Sequence, residues 1–155
     1  MDKFLFEILG VLKKLHIQPV VYGSFGVSLY LHEFKTFGDI DLLIEYEFLH
    51  TRWEEFKNLF ESNGFNLIDE QEHEFMRDGK TVGFASKTIL IKDKIITDFS
   101  ELVKFKESDA ITLTPYGFLK AYMFSIKDGY RIATRNKKDE DIIRRLEEYI
   151  RAYRI

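Results

Sequence analysis

The chain contains no cysteine. A disulfide framework, a thiolate zinc site and a cysteine nucleophile are therefore excluded. It also lacks any apolar run approaching the roughly 18 to 20 residues that a membrane-spanning helix needs, so no membrane partner is expected. Positive charge is not in excess: 23 basic residues stand against 26 acidic ones, a formal net charge of −3. Wrapping duplex nucleic acid normally requires a basic face, so duplex DNA is not an expected partner. No repeat, low-complexity stretch or Ser/Gly-rich linker divides the 155 residues. One domain with a real core is the expectation. Met1-Asp2-Lys3 sets an acid beside its base and runs straight into an amphipathic pattern, which is not that of a signal peptide; the cytoplasm is the expected compartment.

Aromatic residues are plentiful, with 15 Phe and 8 Tyr. No basic stripe accompanies them, so a Phe-rich core is favoured over a stacking platform for bases. Phe4, Leu5, Ile8, Leu9, Leu12 and Leu15 recur at helical spacing and predict a helix over about residues 3–15. Pro19 to Tyr22 reads as a short buried strand, and a helix is expected from about Phe25 to His32. Asp39 to Ile44 reads as the next strand. Thr51-Arg52-Trp53-Glu54 has capping-box spacing ahead of a helix that Asn63-Gly64 would end. A strand from Phe65 to Ile68 is expected next. Two hairpins are then expected, one turning at Asp78-Gly79 and one at Lys92-Asp93-Lys94, the latter joining strands over 88–91 and 95–99.

Thr114 followed by Pro115 predicts a capped helix to about Lys127. Asp139 is expected to open the last helix, laced by Glu140–Arg144, Asp141–Arg145 and Glu147–Arg151 pairs. The fold class is α+β: a mixed sheet flanked by helices, with a core over about 1–110 and a C-terminal helical segment over about 113–155.

One stretch carries chemistry. A hydrophobic strand ends in Gly23-Ser24, a short helix intervenes, and a second hydrophobic strand opens with Asp39-Ile40-Asp41. Strand side chains alternate, so Asp39 and Asp41 point the same way, about 7 Å apart at Cα, while Ile40, Leu42 and Ile44 point into the core. Two like carboxylates on one face favour a cation between them, and hard oxygen ligands suit Mg²⁺. Gly-Ser at a helix N-terminus offers backbone N–H groups to phosphate. Together they would hold a metal–triphosphate complex.

This arrangement resembles the nucleotidyltransferase superfamily of polymerase-β-like fold, in particular its small bacterial branch, which includes lincosamide-type enzymes and abortive-infection or antitoxin-like members. Gly23-Ser24-Phe25-Gly26 and the Thr36-Phe37-Gly38-Asp39-Ile40-Asp41 approach carry the likeness. Leu113-Thr114-Pro115, the helix through Lys120, and Arg135-Asn136-Lys137-Lys138-Asp139-Glu140-Asp141-Ile142 are similar to the family's closing segment. The resemblance implies a Mg²⁺-dependent enzyme that moves a nucleoside monophosphate from a nucleoside triphosphate, such as ATP, to an acceptor hydroxyl. That acceptor would be a small molecule, a protein or RNA. Two Mg²⁺ ions would sit on Asp39, Asp41 and a third carboxylate. Gly23 and Ser24 would grip the β- and γ-phosphates. Lys120, Lys127, Arg131 or Arg135 would neutralise the triphosphate.

For the third carboxylate, Asp98 is favoured because it stands among Ile95, Ile96 and Phe99. Glu74 competes, and the place in Thr81-Val82-Gly83-Phe84 where some relatives carry the acid holds Gly83. Without a third acid, metal binding would survive and catalysis fail, leaving a non-catalytic antitoxin-like or regulatory binding module. One small domain offers half a cleft, so a homodimer that builds the acceptor pocket between subunits is a further expectation. His16, His32, His50 and His73 have no i,i+4 pairing, which argues against zinc. Ser24 lacks a His–Asp pattern for a hydrolase triad. Lys137, Lys138, Arg144 and Arg145 read as a solvated helix face rather than an RNA patch, and Tyr116, Tyr122 and Tyr130 as packing residues.

Overall fold

The computed structural model describes residues 2–32, 38–127 and 132–153, with side chains in the last stretch from residue 138. Thr36, Phe37, Asp128, Gly129, Tyr130 and Arg131, and the side chains of Arg135, Asn136 and Lys137, lie outside the described residues. The architecture is α+β, a mixed sheet flanked by helices, and the chain ends in helices. In order the elements are α1 (Lys3–Lys13), β1 (Val20–Tyr22), α2 (Gly23–Val27), β2 (Asp39–Ile44), α3 (Trp53–Ser62), β3 (Asn66–Asp69), β4 (Glu74–Arg77), β5 (Lys80–Ser86), α4 (Ile89–Lys92), β6 (Val103–Lys104), β7 (Ile111–Thr112), α5 (Pro115–Lys127) and α6 (Ile132–Tyr153). Short 3₁₀ turns cover Tyr46–Leu49 and Phe99–Glu101.

The described strands form one seven-stranded sheet in the order β3-β4-β5-β2-β1-β7-β6. The central pair β1–β2 is antiparallel, whereas β2–β5 and β1–β7 are parallel. Alternation along β2 sends Ile40, Leu42 and Ile44 to one face, where α1 and α3 cover them together with Phe56, Phe60, Val82 and Phe84. Five phenylalanines, Phe56, Phe60, Phe65, Phe75 and Phe84, touch ring to ring in this layer. These phenylalanines are thus core, each contributing on the order of 1.5–3 kcal/mol by leaving water, while Phe6, Phe99 and Phe124 stay exposed. On the opposite face, Val20 and Leu43 pack with Leu90, Ile95, Ile96, Phe118, Ile142 and Leu146.

Several local expectations hold. Thr114 Oγ1 accepts from Gly117 N at 3.1 Å at the start of α5; α1 has in addition a cap not expected from sequence, the Asp2 carboxylate accepting from Leu5 N at 3.0 Å. The β4–β5 hairpin turns through Asp78 and Gly79, both at positive φ, as a two-residue Asp-Gly turn requires.

Others are corrected. The expected strands over 88–91 and 95–99 are absent: Ile89–Lys92 is the helix α4. Lys94 turns at φ +59°. Ile95 N and Ile96 N then bond back to Leu90 O at 2.9 and 3.1 Å. The apolar run is a plug that buries Leu90, Ile95 and Ile96 against the second layer. Thr51 does not cap α3. The 3₁₀ turn before it draws Arg52 N onto Glu47 O at 2.7 Å, so Arg52 takes the cap position without a side-chain bond. Helix α2 begins at Gly23 rather than Phe25. Helix α6 begins at Ile132, which leaves Asp139 inside it, 2% exposed and accepting from Ser125 Oγ at 3.3 Å. Arg144 pairs with Asp141 and Glu148 rather than with Glu140. Strands β6 and β7 occupy what reads in sequence as a polar loop.

Candidate functional site

Asp39 and Asp41 stand on the face of β2 opposite the phenylalanine layer. They share it with Leu43, but where Leu43 is sealed by the second layer, both aspartates are exposed. Strand register extends this face sideways. Tyr22 of β1 is aligned with Asp41, Asp41 with Gly83 of β5, and Gly83 with Glu74 of β4, so the four residues form one row across four strands. Aligned residues project to the same face.

Two glycines let the carboxylates approach. Gly23 lies at φ +63°, and a β-carbon there would stand 2.6 Å from Asp41 Oδ2. Any side chain there would force the Asp41 carboxylate to shift and would strain the left-handed backbone. Gly83 separates Asp41 from Glu74: a β-carbon on it would lie 3.5 Å from Asp41 Oδ1 and 4.0 Å from Glu74 Oε2. The Glu74 carboxylate therefore leans from the neighbouring strand over Gly83. Burial pushes the Glu74 carboxyl above its ordinary range, and the negative charges of Asp39, Asp69 and Glu72 raise it further. Asp69, aligned with Glu74 on β3, belongs to the same acidic face.

Asp98 stands elsewhere in the chain's chemistry. It caps the 3₁₀ turn Phe99–Glu101, its Oδ1 accepting from Ser100 N at 2.7 Å, while the Glu101 side chain accepts from Asp98 N at 3.0 Å. These bonds hold the Asp98 carboxyl below its ordinary range, the Ser100 bonds being the main cause. An acid among apolar residues here marks a cap, not a strand, because the strand over 95–99 does not exist. Of the two acids weighed from sequence, the structure brings Glu74 to Asp41 and Asp39.

Ser24 follows Gly23 as the second residue of α2. Phe118 of α5 stacks on Tyr22 at 6.4 Å between centroids, which seats α5 beside the Asp41 row. Lys120 is two residues further along the helix; its Nζ lies 5.3 Å from the Tyr116 ring centroid, and its charge acts on Glu101. Its described partners are these, not the aspartates. Arg135 lies outside the described side chains. Thr81 was not among the sequence candidates, yet its Oγ1 donates to Asp39 Oδ1 at 3.0 Å. Only the alignment of Thr81 with Asp39 across β5 and β2 reveals it.

Asp39, Asp41 and Glu74 supply hard oxygen donors of the kind that suit Mg²⁺, and the absent side chain of Gly83 leaves space between two of them. Among the described residues no three His, Asp or Glu side chains stand close enough to enclose a metal ion. Likewise no helix among them is long and apolar enough to cross a membrane.

The chain is 36% identical over 141 residues to the uncharacterized protein YnaI of Bacillus subtilis (strain 168), an alignment covering 90% of each chain. No family model and no solved structure matches it.

Proposed function

The chain belongs to the family of the Bacillus subtilis protein YnaI, and from its own residues we propose that it is a Mg²⁺-dependent nucleotidyltransferase. It would transfer a nucleoside monophosphate from a nucleoside triphosphate to a hydroxyl acceptor. The observation that carries this reading is the row Asp41–Gly83–Glu74 with Asp39 beside it, closed at one end by the contact of Gly23 with Asp41.

Asp39 and Asp41 would hold the ion, with Glu74 turning in from β4 to complete its shell, and the ion's charge would offset that of the phosphate oxygens. Gly23 and Ser24 would orient the triphosphate through backbone N–H groups and the Ser24 hydroxyl. Glu74, whose carboxyl burial and its acidic neighbours hold above the ordinary range, would accept the proton of the acceptor hydroxyl. The acceptor oxygen then bonds to the α-phosphorus as the bond to pyrophosphate breaks. Positioning and charge stabilisation supply most of the acceleration in such transfers.

Calorimetric titration of ATP, CTP, GTP and UTP, with Mg²⁺ and with EDTA, tests the reading. Binding that requires Mg²⁺ and disappears in Asp39→Asn is expected, with thermal stability hardly changed because Asp39 is exposed. Absence of binding to every triphosphate would overturn it. The second reading, a non-catalytic binding module, is favoured by one observation: no three described carboxylates enclose a metal site. A stable complex with a protein partner and no metal-dependent nucleotide binding would establish that alternative.

A further inference from the structure

The first residue of a strand has few neighbours to fix its side chain. Asp39 opens β2 and is exposed, so its carboxylate would ordinarily rotate among several rotamers. In this fold one residue of β5 makes two bonds, one to Asp39 and one to the residue before it. Thr81 N donates to the carbonyl of Gly38 at 2.7 Å, pinning the backbone just before Asp39. Thr81 Oγ1 donates to Asp39 Oδ1 at 3.0 Å. The parallel register sets Thr81 directly beside Asp39, and its β-branched side chain has few rotamers of its own. A stiff donor on a fixed strand thus engages one carboxylate oxygen and orients the other.

We infer that Thr81 is a positioning residue that holds Asp39 with Oδ1 engaged and Oδ2 presented to a divalent cation. The inference rests on the proposal that Asp39 holds the ion. Gly23 leaves room for the Asp41 carboxylate, whereas Asp39 is held by the Thr81 hydrogen bond. Partners that orient metal-ligating carboxylates typically change metal affinity about 10- to 100-fold when removed. A bond that served only the sheet would leave metal affinity untouched.

The test compares the full-length wild type with Thr81→Val, Thr81→Ser and Asp39→Asn. Mn²⁺ binding to the nucleotide-free protein is followed by electron paramagnetic resonance. Hα–Hβ couplings of Asp39 are measured by NMR without metal, and thermal stability is recorded for each variant. Thr81→Val is expected to weaken Mn²⁺ binding on the order of 10-fold or more and to average the Asp39 couplings over several rotamers. Thr81→Ser, which keeps the hydroxyl, restores both. Wild-type Mn²⁺ affinity in Thr81→Val, with Asp39→Asn defective, overturns the role of Thr81 and leaves the metal reading standing. Equal losses in Thr81→Val and Thr81→Ser, accompanied by a fall in stability, assign the bond to the sheet and also overturn the inference. Failure of the wild type to bind Mn²⁺ overturns both this inference and the reading beneath it.

Discussion

Asp41 rests against Gly23: its Oδ2 occupies the space a β-carbon would need, 2.6 Å away, and Gly23 holds φ +63°. A turn at the end of β1 and a carboxylate in the middle of β2 are therefore mutually fitted. Gly23→Ala introduces both left-handed strain, on the order of 1–3 kcal/mol, and a collision with the carboxylate. The expected outcome is a lower denaturation midpoint together with loss of Mg²⁺-dependent triphosphate binding, measured by chemical unfolding and calorimetry. Unchanged binding would show that Asp41 has no fixed seat.

Glu74 sets a pH dependence. Its folded pKa is raised by burial and by Asp39, Asp69 and Glu72, so in the interval between the unfolded and folded values the native state binds the extra proton. Stability therefore falls as pH rises through that interval, and it is regained on acidification. Glu74→Gln removes the penalty. Thermal melts across the mildly acidic range should show a flatter profile in this variant, with stability at neutral pH equal to or above that of the wild type. The same change should abolish nucleotide transfer. Added Mg²⁺ should raise the neutral-pH melting temperature of the wild type and have little effect on the variant.

Asp98 behaves in the opposite sense. Its carboxyl is lowered by the Ser100 bonds, so the stability it contributes is present above the unfolded pKa and is lost as pH falls through the folded value. Asp98→Asn keeps an acceptor at the cap and should retain Mg²⁺-dependent nucleotide binding and transfer, with a small loss of stability. A variant that folds normally but has lost transfer would return Asp98 to the reaction.

Tyr30 ties the segment after α2 to the chain just before α5 and to Tyr149 of α6. Its hydroxyl donates to Leu113 O at 2.9 Å, and burial, assisted by Tyr149, pushes its pKa up from 10.0 to about 12. Its contribution is complete below pH 10.0 and is lost as pH rises toward about 12. In an ultraviolet phenolate titration one tyrosine should ionise late, and Tyr30→Phe should remove that late step. Leaving the Leu113 carbonyl without its donor should cost about 0.5–1.5 kcal/mol at neutral pH.

What the sequence determined by itself is local. Apolar spacing set α1 and the inward-facing side of β2, Asp78-Gly79 set a hairpin, and Thr114-Pro115 set the start of α5, because each signal acts within a few residues. The Asp39/Asp41 pair was legible for the same reason: two residues apart on a strand, both side chains must share a face.

Tertiary structure decided everything that depends on register between distant strands. Read from sequence, Asp98 is favoured for its apolar neighbours and Glu74 is only its competitor. Only the alignment of β4, β5 and β2 lifts Glu74 over Gly83 toward Asp41, and only burial of Leu90, Ile95 and Ile96 converts an apparent hairpin into a helix and a turn. Thr81 and Asp69 entered the site by the same route. Pairing between strands is a long-range choice, made by burying two layers against one sheet, and no short window of sequence contains it.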